Sequence, residues 1–239
     1  MLFKVYALSL FAVLVVAVLF VFAAQRSGHA RDYGPLPVGR GVSVPPHTEV
    51  SSTPPWLALI CTLVADGTLF ASLVFGTFYV WIATPNAAQA IAVPTPDLLP
   101  ALALVATLAL AAVATRASLR TNATGGKPWG WIGVSMIALQ AAIASAVALI
   151  AGIQPHPSEH AIGATAAALL GYVIFHAGVG LFFLASNVLR IRAGYVSPLR
   201  TLDLRLSRLW IDYTAVTAAI AVGLVLALPK LASVLGAQT

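Results

Sequence analysis

Six long apolar runs, separated by polar, proline-rich or arginine-rich connections, organise the chain. Residues 5–24, 98–115 and 129–153 carry no charge; residues 56–83 carry Asp66, residues 161–189 hold one histidine, His176, and residues 209–228 carry Asp212. A hydrocarbon core of ~30 Å needs ~20 apolar residues in a helix. A backbone facing lipid must also satisfy its own hydrogen bonds, which selects helices over open strands. The pattern therefore predicts an all-α, polytopic membrane helix bundle with six transmembrane helices. The five tryptophans, Trp56, Trp81, Trp129, Trp131 and Trp210, fall near the ends of these runs, as residues that favour the headgroup region do.

Between the first and second runs, residues 25–55 hold six prolines and four glycines. Such a segment predicts an extended tether and no packed core. The chain then divides into a leading helix (1–24), a cytoplasmic linker (25–55) and a five-helix domain (56–239). The first run also has features of a secretory signal peptide, with Lys4 ahead of it and Ala23 and Ala24 at its end. Its length, and the arginines that follow it, favour a retained helix. No internal repeat is evident, which speaks against an inverted-repeat transporter.

Composition narrows the function classes. Hydrophobic residues make up 60% of the chain and charged residues 8%, against about 25% charged in soluble domains. The mean hydropathy of +0.94 agrees. A soluble enzyme, a nucleic-acid binder and a disordered protein are excluded. Of the 13 basic residues, all but Lys4 and Lys230 lie in three connections that six spans place on one side. These are Arg26, Arg31 and Arg40; Arg116, Arg120 and Lys127; and Arg190, Arg192, Arg200, Arg205 and Arg208. The positive-inside rule puts those connections in the cytoplasm and both termini outside.

Charge at membrane depth costs a few kcal/mol or more, so Asp66, His176 and Asp212 are the candidate functional residues. Asp212 lies one turn inside the last run, and Arg208 at i−4 makes a structural membrane-edge pair with it. Asp66 is ten residues from Trp56, ~15 Å deep at 1.5 Å per residue, and His176 is ~21 Å from Arg190. The two can meet across packed helices, sharing a proton or contacting lipid. A haem held between two histidines is not expected, because His29, His47, His156 and His160 all lie outside the spans. His156 and His160 have metal-pair spacing, but Pro157 between them favours a turn. Cys61, the single cysteine, reads as a small buried hydrophobe. Gly171, Gly178 and Gly180 read as sites of close helix packing.

Residues 56–79, WLALICTLVADGTLFASLVFGTFY, resemble the third helix of haem-copper oxidase subunit III, with Asp66 where that family usually has Glu. Residues 171–180, GYVIFHAGVG, resemble the family's Phe-His-Gly-x-His segment: His176 matches the first histidine and Val179 replaces the second. Residues 208–213, RLWIDY, resemble its final helix, Asp212 matching the family's Asp. The body from Trp56 onward is similar to short, five-helix members. The leading helix and linker, with DYGPLPVGRG at 32–41, resemble the tail of subunit I in fused subunit I–III oxidases. A split gene or reduced subunit is then implied.

The resemblance implies an accessory, non-redox subunit of a respiratory cytochrome c or quinol oxidase in the bacterial inner membrane. Its partners would be the catalytic subunit I and subunit II. Haem and copper would lie in those partners, and phospholipid would be bound in the helical cleft of this chain. The family role is to stabilise the catalytic subunit and support proton uptake. Two other classes stay open on the residues alone: a proton-coupled small-molecule or ion carrier using Asp66 and His176, and a stand-alone haem- or quinone-reactive enzyme.

Overall fold

The computed structural model describes residues 36–44, 54–83, 97–154 and 156–236. Five helices dominate: α1 (Pro54–Ala83), α2 (Leu98–Ala123), α3 (Trp129–Ala151), α4 (Ala161–Arg192) and α5 (Leu202–Gly236). All five are long and apolar enough to cross a membrane. The chain is a multi-pass helical membrane protein. The apolar run at 5–24, expected as a sixth span, lies outside the described residues.

The helices begin and end differently from the apolar windows, for local reasons. Pro54 and Pro55 form the first turn of α1, where backbone N–H groups have no helical partner and proline costs little. α2 continues past residue 115 and carries Arg116 and Arg120; α4 runs on to Arg192; α5 starts seven residues before Leu209. Most arginines assigned to connections are therefore on helix ends, their stems long enough to reach water from a helical backbone. Two glycines set the stops. Gly125 (φ +78°) and Gly194 (φ +79°) take left-handed conformations. In each case the two following N–H contacts reach back into the last turn: Gly125 to Asn122 and Gly126 to Thr121, Gly194 to Ile191 and Tyr195 to Arg190. This doubly bonded ending satisfies carbonyls that a helix terminus would leave bare.

The linker departs from the expected plain tether. Leu36–Gly39 (β1) and Val42–Val44 (β2) pair antiparallel. The reversal is made by Gly39, Arg40 and Gly41, all at positive φ.

α2 and α3 share the most extensive interface, and α5 closes against α2 and α4. Leu104, Leu108, Leu139, Leu169, Leu184 and Ile211 are fully buried at the centre. Buried hydroxyls fix the α2–α3 register: Ser135 Oγ donates to the Ala111 carbonyl (3.1 Å) and lies 2.8 Å from Thr115 Oγ1. Asn187 Nδ2 donates to Ser207 Oγ (2.8 Å), joining α4 to α5.

Two expectations are corrected by this packing. Of Gly171, Gly178 and Gly180, only Gly180 is at a close approach, with Leu139, Ile211 and Trp210 side chains around it; Gly171 and Gly178 have open space where a Cβ would stand. Cys61 is exposed. α1 packs against α4 and α5 through one face, and Cys61 is on another with Leu57, Val64 and Phe75.

Candidate functional site

Asp66 stands midway along α1, the helix with the least buried surface. α4 presents Tyr172 and His176 to it, one turn apart, and α5 presents Trp210 and Tyr213. Each pair is spaced i, i+4 or i, i+3 and so shares a helix face. Three side chains meet at Asp66 Oδ2: Tyr213 Oη donates at 2.7 Å, Tyr172 Oη also donates, and His176 Nε2 lies at 2.9 Å. The two phenol oxygens are themselves 2.9 Å apart. The His176 side chain is 1% exposed and that of Asp66 16%.

The second imidazole nitrogen fixes the proton count. His176 Nδ1 is 2.9 Å from the Tyr172 carbonyl oxygen, which only accepts, so Nδ1 carries a hydrogen. A neutral ring would then turn a lone pair at Nε2 toward the carboxylate. The 2.9 Å contact requires one further proton, on Nε2 or on Asp66. The pair is then neutral as a unit, whichever atom holds the proton. That lowers the cost of keeping both groups at membrane depth. Both ring nitrogens are engaged, Nδ1 by the Tyr172 carbonyl and Nε2 by Asp66.

Trp210 completes the site from behind. Its indole stacks on the imidazole (centroids 5.1 Å, planes within 7°), and its N–H donates to the His176 carbonyl at 2.9 Å. Trp210 is therefore a buried member of the cluster rather than a headgroup residue, eight residues into α5. Beyond it, toward the arginine-bearing end, lies a cavity of about 410 Å³ between α1, α4 and α5, lined by Leu59, Thr62, Phe183, Asn187, Ser207 and Trp210.

Asp212 lies ten residues into α5 rather than one turn from its start. Its Oδ2 is 3.4 Å from Arg208 Nε, and its Oδ1 is 2.9 Å from Arg116 Nη2 of α2. Arg116 had no sequence signal, since α2 was expected to end before it. A second pair, Arg190 Nε to Asp203 Oδ2 at 2.7 Å, joins α4 to α5. His160 caps α4 by accepting from the Ile162 N–H, and His156 Nδ1 is 2.8 Å from Ser158 Oγ. They serve the turn that precedes α4. No three His, Cys, Asp or Glu side chains converge among the described residues.

Sequence reasoning missed Tyr172, Tyr213 and Trp210. Two signals were present: Tyr172 is one turn from His176, and Tyr213 shares a face with Trp210. The arrangement can hold and exchange a proton at membrane depth, and it fastens α1 to the bundle. Compared with known proteins, the chain matches no protein-family model and no curated protein.

Proposed function

We propose that the chain is an accessory, non-redox subunit of a respiratory haem-copper terminal oxidase in the bacterial inner membrane. It packs against the catalytic subunit I, alongside subunit II, and those partners hold the haem and copper. One observation carries the reading. The acid and the histidine that the resemblance assigns to two separate helices are in contact, Asp66 Oδ2 to His176 Nε2 at 2.9 Å. Asp in place of Glu shortens the side chain by one methylene, and the two tyrosines fill around it. The Val179 replacement leaves His176 as the one histidine of the site. In this reading the pair keeps a proton available near the partner's uptake path, and lipid in the helical cleft supports turnover.

The test is purification of the full tagged chain from its native membrane in mild detergent. Haem absorbance and a catalytic subunit in near one-to-one ratio should co-purify, and the absorbance should leave the chain when the complex is dissociated. A chain that purifies without any haem protein, or that retains about one metal equivalent lost on His176→Ala, overturns the proposal. The partial exposure of Asp66 favours a second reading, a proton-coupled carrier. Substrate-dependent proton movement by the chain alone in liposomes would select it.

A further inference from the structure

α1 is fastened to the bundle by one side only. Within its apolar window 11% of residues are buried, against 33% or more in each of the other four helices. A second side carries Ala58, Cys61, Ala65, Leu69 and Ser72, all exposed. Their spacing, i, i+3, i+7, i+11, i+14, is that of one helix stripe. Leu69 is its one large side chain. The stripe runs on to Gly76, where an added Cβ would meet nothing within 4 Å. Long side chains, Leu57, Val64, Phe75 and Ile82, occupy the remaining exposed side. Ala58 also lines the cavity shared with Phe182 and Phe183 of α4, so the short-chain side borders a groove.

The apolar run at residues 5–24 repeats the pattern. Read as a helix, it places Ser9, Ala12, Val16, Phe20 and Ala23 on one side, again spaced i, i+3, i+7, i+11, i+14. Phe20 is the one large residue among them. Phe11, Leu14, Val18 and Phe22 fall on the opposite side.

We propose that this run docks antiparallel on the short-chain side of α1. A single register aligns both stripes: Ser72 with Ser9, Leu69 with Ala12, Ala65 with Val16, Cys61 with Phe20, Ala58 with Ala23. Each large residue meets a short one, as knobs meet holes. The same register sets Ala24 level with Leu57, so both apolar runs reach the headgroup region together. Helices in lipid associate through close packing, which short side chains permit. An acyl chain would fill the groove without any need for a matched register; the size match selects the helix.

The connection favours the same occupant. The run is joined to the start of α1 by 29 residues, nine of which, Leu36 to Val44, fold back on themselves as β1 and β2. Consecutive elements are usually neighbours, and a tether of this length keeps the run at high effective concentration beside α1. The inference uses neither an oxidase partner nor the Asp66 cluster, so its failure and that of the oxidase proposal are separate results.

Cys61 is the single cysteine and supplies one end of a cross-link. Phe20→Cys in the full chain, in its native membrane, should be joined to Cys61 by o-phenylenedimaleimide, read as linked peptides from the monomer band. Val18→Cys, less than one turn away but on the opposite side, should stay unlinked. In a Cys61→Ser background, Ser9→Cys with Ser72→Cys should form a disulfide under copper phenanthroline, and Phe11→Cys with Ser72→Cys should not. Ala65→Leu should lower both yields several-fold by filling the stripe, whereas Val64→Leu, on the long-chain side, should leave them unchanged. Equal linkage from Val18→Cys overturns the proposal, as does the absence of both expected links. Links found only at dimer mass, or to another protein, would give the face to a second copy or a partner and overturn it. A mature chain that has lost residues 1–24 overturns it as well.

Discussion

His176 and Trp210 lie face to face, and the indole N–H of Trp210 is bonded to the main-chain carbonyl of the histidine it covers. One side chain thus fixes both the plane of the imidazole and the turn of α4 that carries it. The Asp66 contact depends on that plane, because Nε2 reaches Oδ2 only while Nδ1 stays on the Tyr172 carbonyl.

Replacing Trp210 separates these two supports. Trp210→Phe keeps an aromatic face and loses the N–H donor, about 1 kcal/mol. The melting temperature of the purified chain should fall by roughly 2–4 °C. Trp210→Ala also empties a buried ring volume, a loss of about 3–5 kcal/mol, and should lower it several times further. Equal losses for the two variants would show that the stack contributes nothing.

Asp66→Asn preserves size but replaces a carboxylate that accepts from Tyr172 and Tyr213 and contacts His176 with an amide whose N–H groups meet those hydroxyl donors. Assembly should persist, with a melting temperature lower by about 4–8 °C, on the order of 2 kcal/mol for a charge-assisted hydrogen-bond set. In an oxidase complex the initial rate should survive while activity decays faster during sustained turnover. Complete loss of initial activity in an assembled, haem-replete complex would place essential chemistry in this chain.

The α4 glycines allow a controlled comparison. At Gly180 an added Cβ would stand 3.3 Å from Leu139 Cδ1 and 3.5 Å from Ile211 Cγ1. Gly180→Ala should destabilise by about 1–3 kcal/mol, the usual range for overpacking. At Gly178 the same Cβ meets nothing within 4 Å, and alanine is the better helix former. Gly178→Ala should be neutral or slightly stabilising in thermal unfolding. A reversed order would mean that a partner chain fills the space beside Gly178.

Orientation is read with single cysteines in a Cys61→Ser background. Labels at Gly125 and Ser197 should resist membrane-impermeant reagents in intact cells, and a label at Ser158 should react. The asymmetry of the basic residues motivates this order. A reactive Gly125 with a protected Ser158 would invert the bundle.

The site was legible where depth alone determined it. Asp66 and His176 stand out because ionisable groups within apolar runs are rare, and counting residues from each run's end put both well inside the membrane. Tyr172 and Tyr213 escaped because tyrosine carries no charge and its phenol is unremarkable in a hydropathy profile. Only the fold shows both hydroxyls converging on one carboxylate oxygen. Trp210 was misread through a general preference of tryptophan for headgroups, applied to a helix whose start was placed seven residues late. That placement error has one cause: hydropathy detects the hydrocarbon boundary, whereas α5 begins at Leu202, ahead of Arg205 and Arg208, on the polar side of it. The Arg208–Asp212 spacing was readable in one helix, but Arg116 comes from another and needed the α2–α5 packing.

The arrangement of α1 has a consequence for how the chain is made. Its carboxylate is bonded to residues 106, 110 and 147 positions downstream. At a synthesis rate of about 5–20 residues per second, α1 precedes His176 by roughly 5–20 s. Throughout that interval Asp66 has none of its three partners, while α2 and α3, neighbours in order and in space, can already pair. During that interval the apolar surface of the newly inserted helix alone offsets the cost of an unpaired Asp66, a few kcal/mol at membrane depth. A defect in Tyr172 or His176 would then prolong the unpaired state of Asp66 beyond the arrival of α4. Such a defect would appear as slower docking of α1 onto α4 and α5, measurable as protease sensitivity of newly made chain, before any activity could be measured.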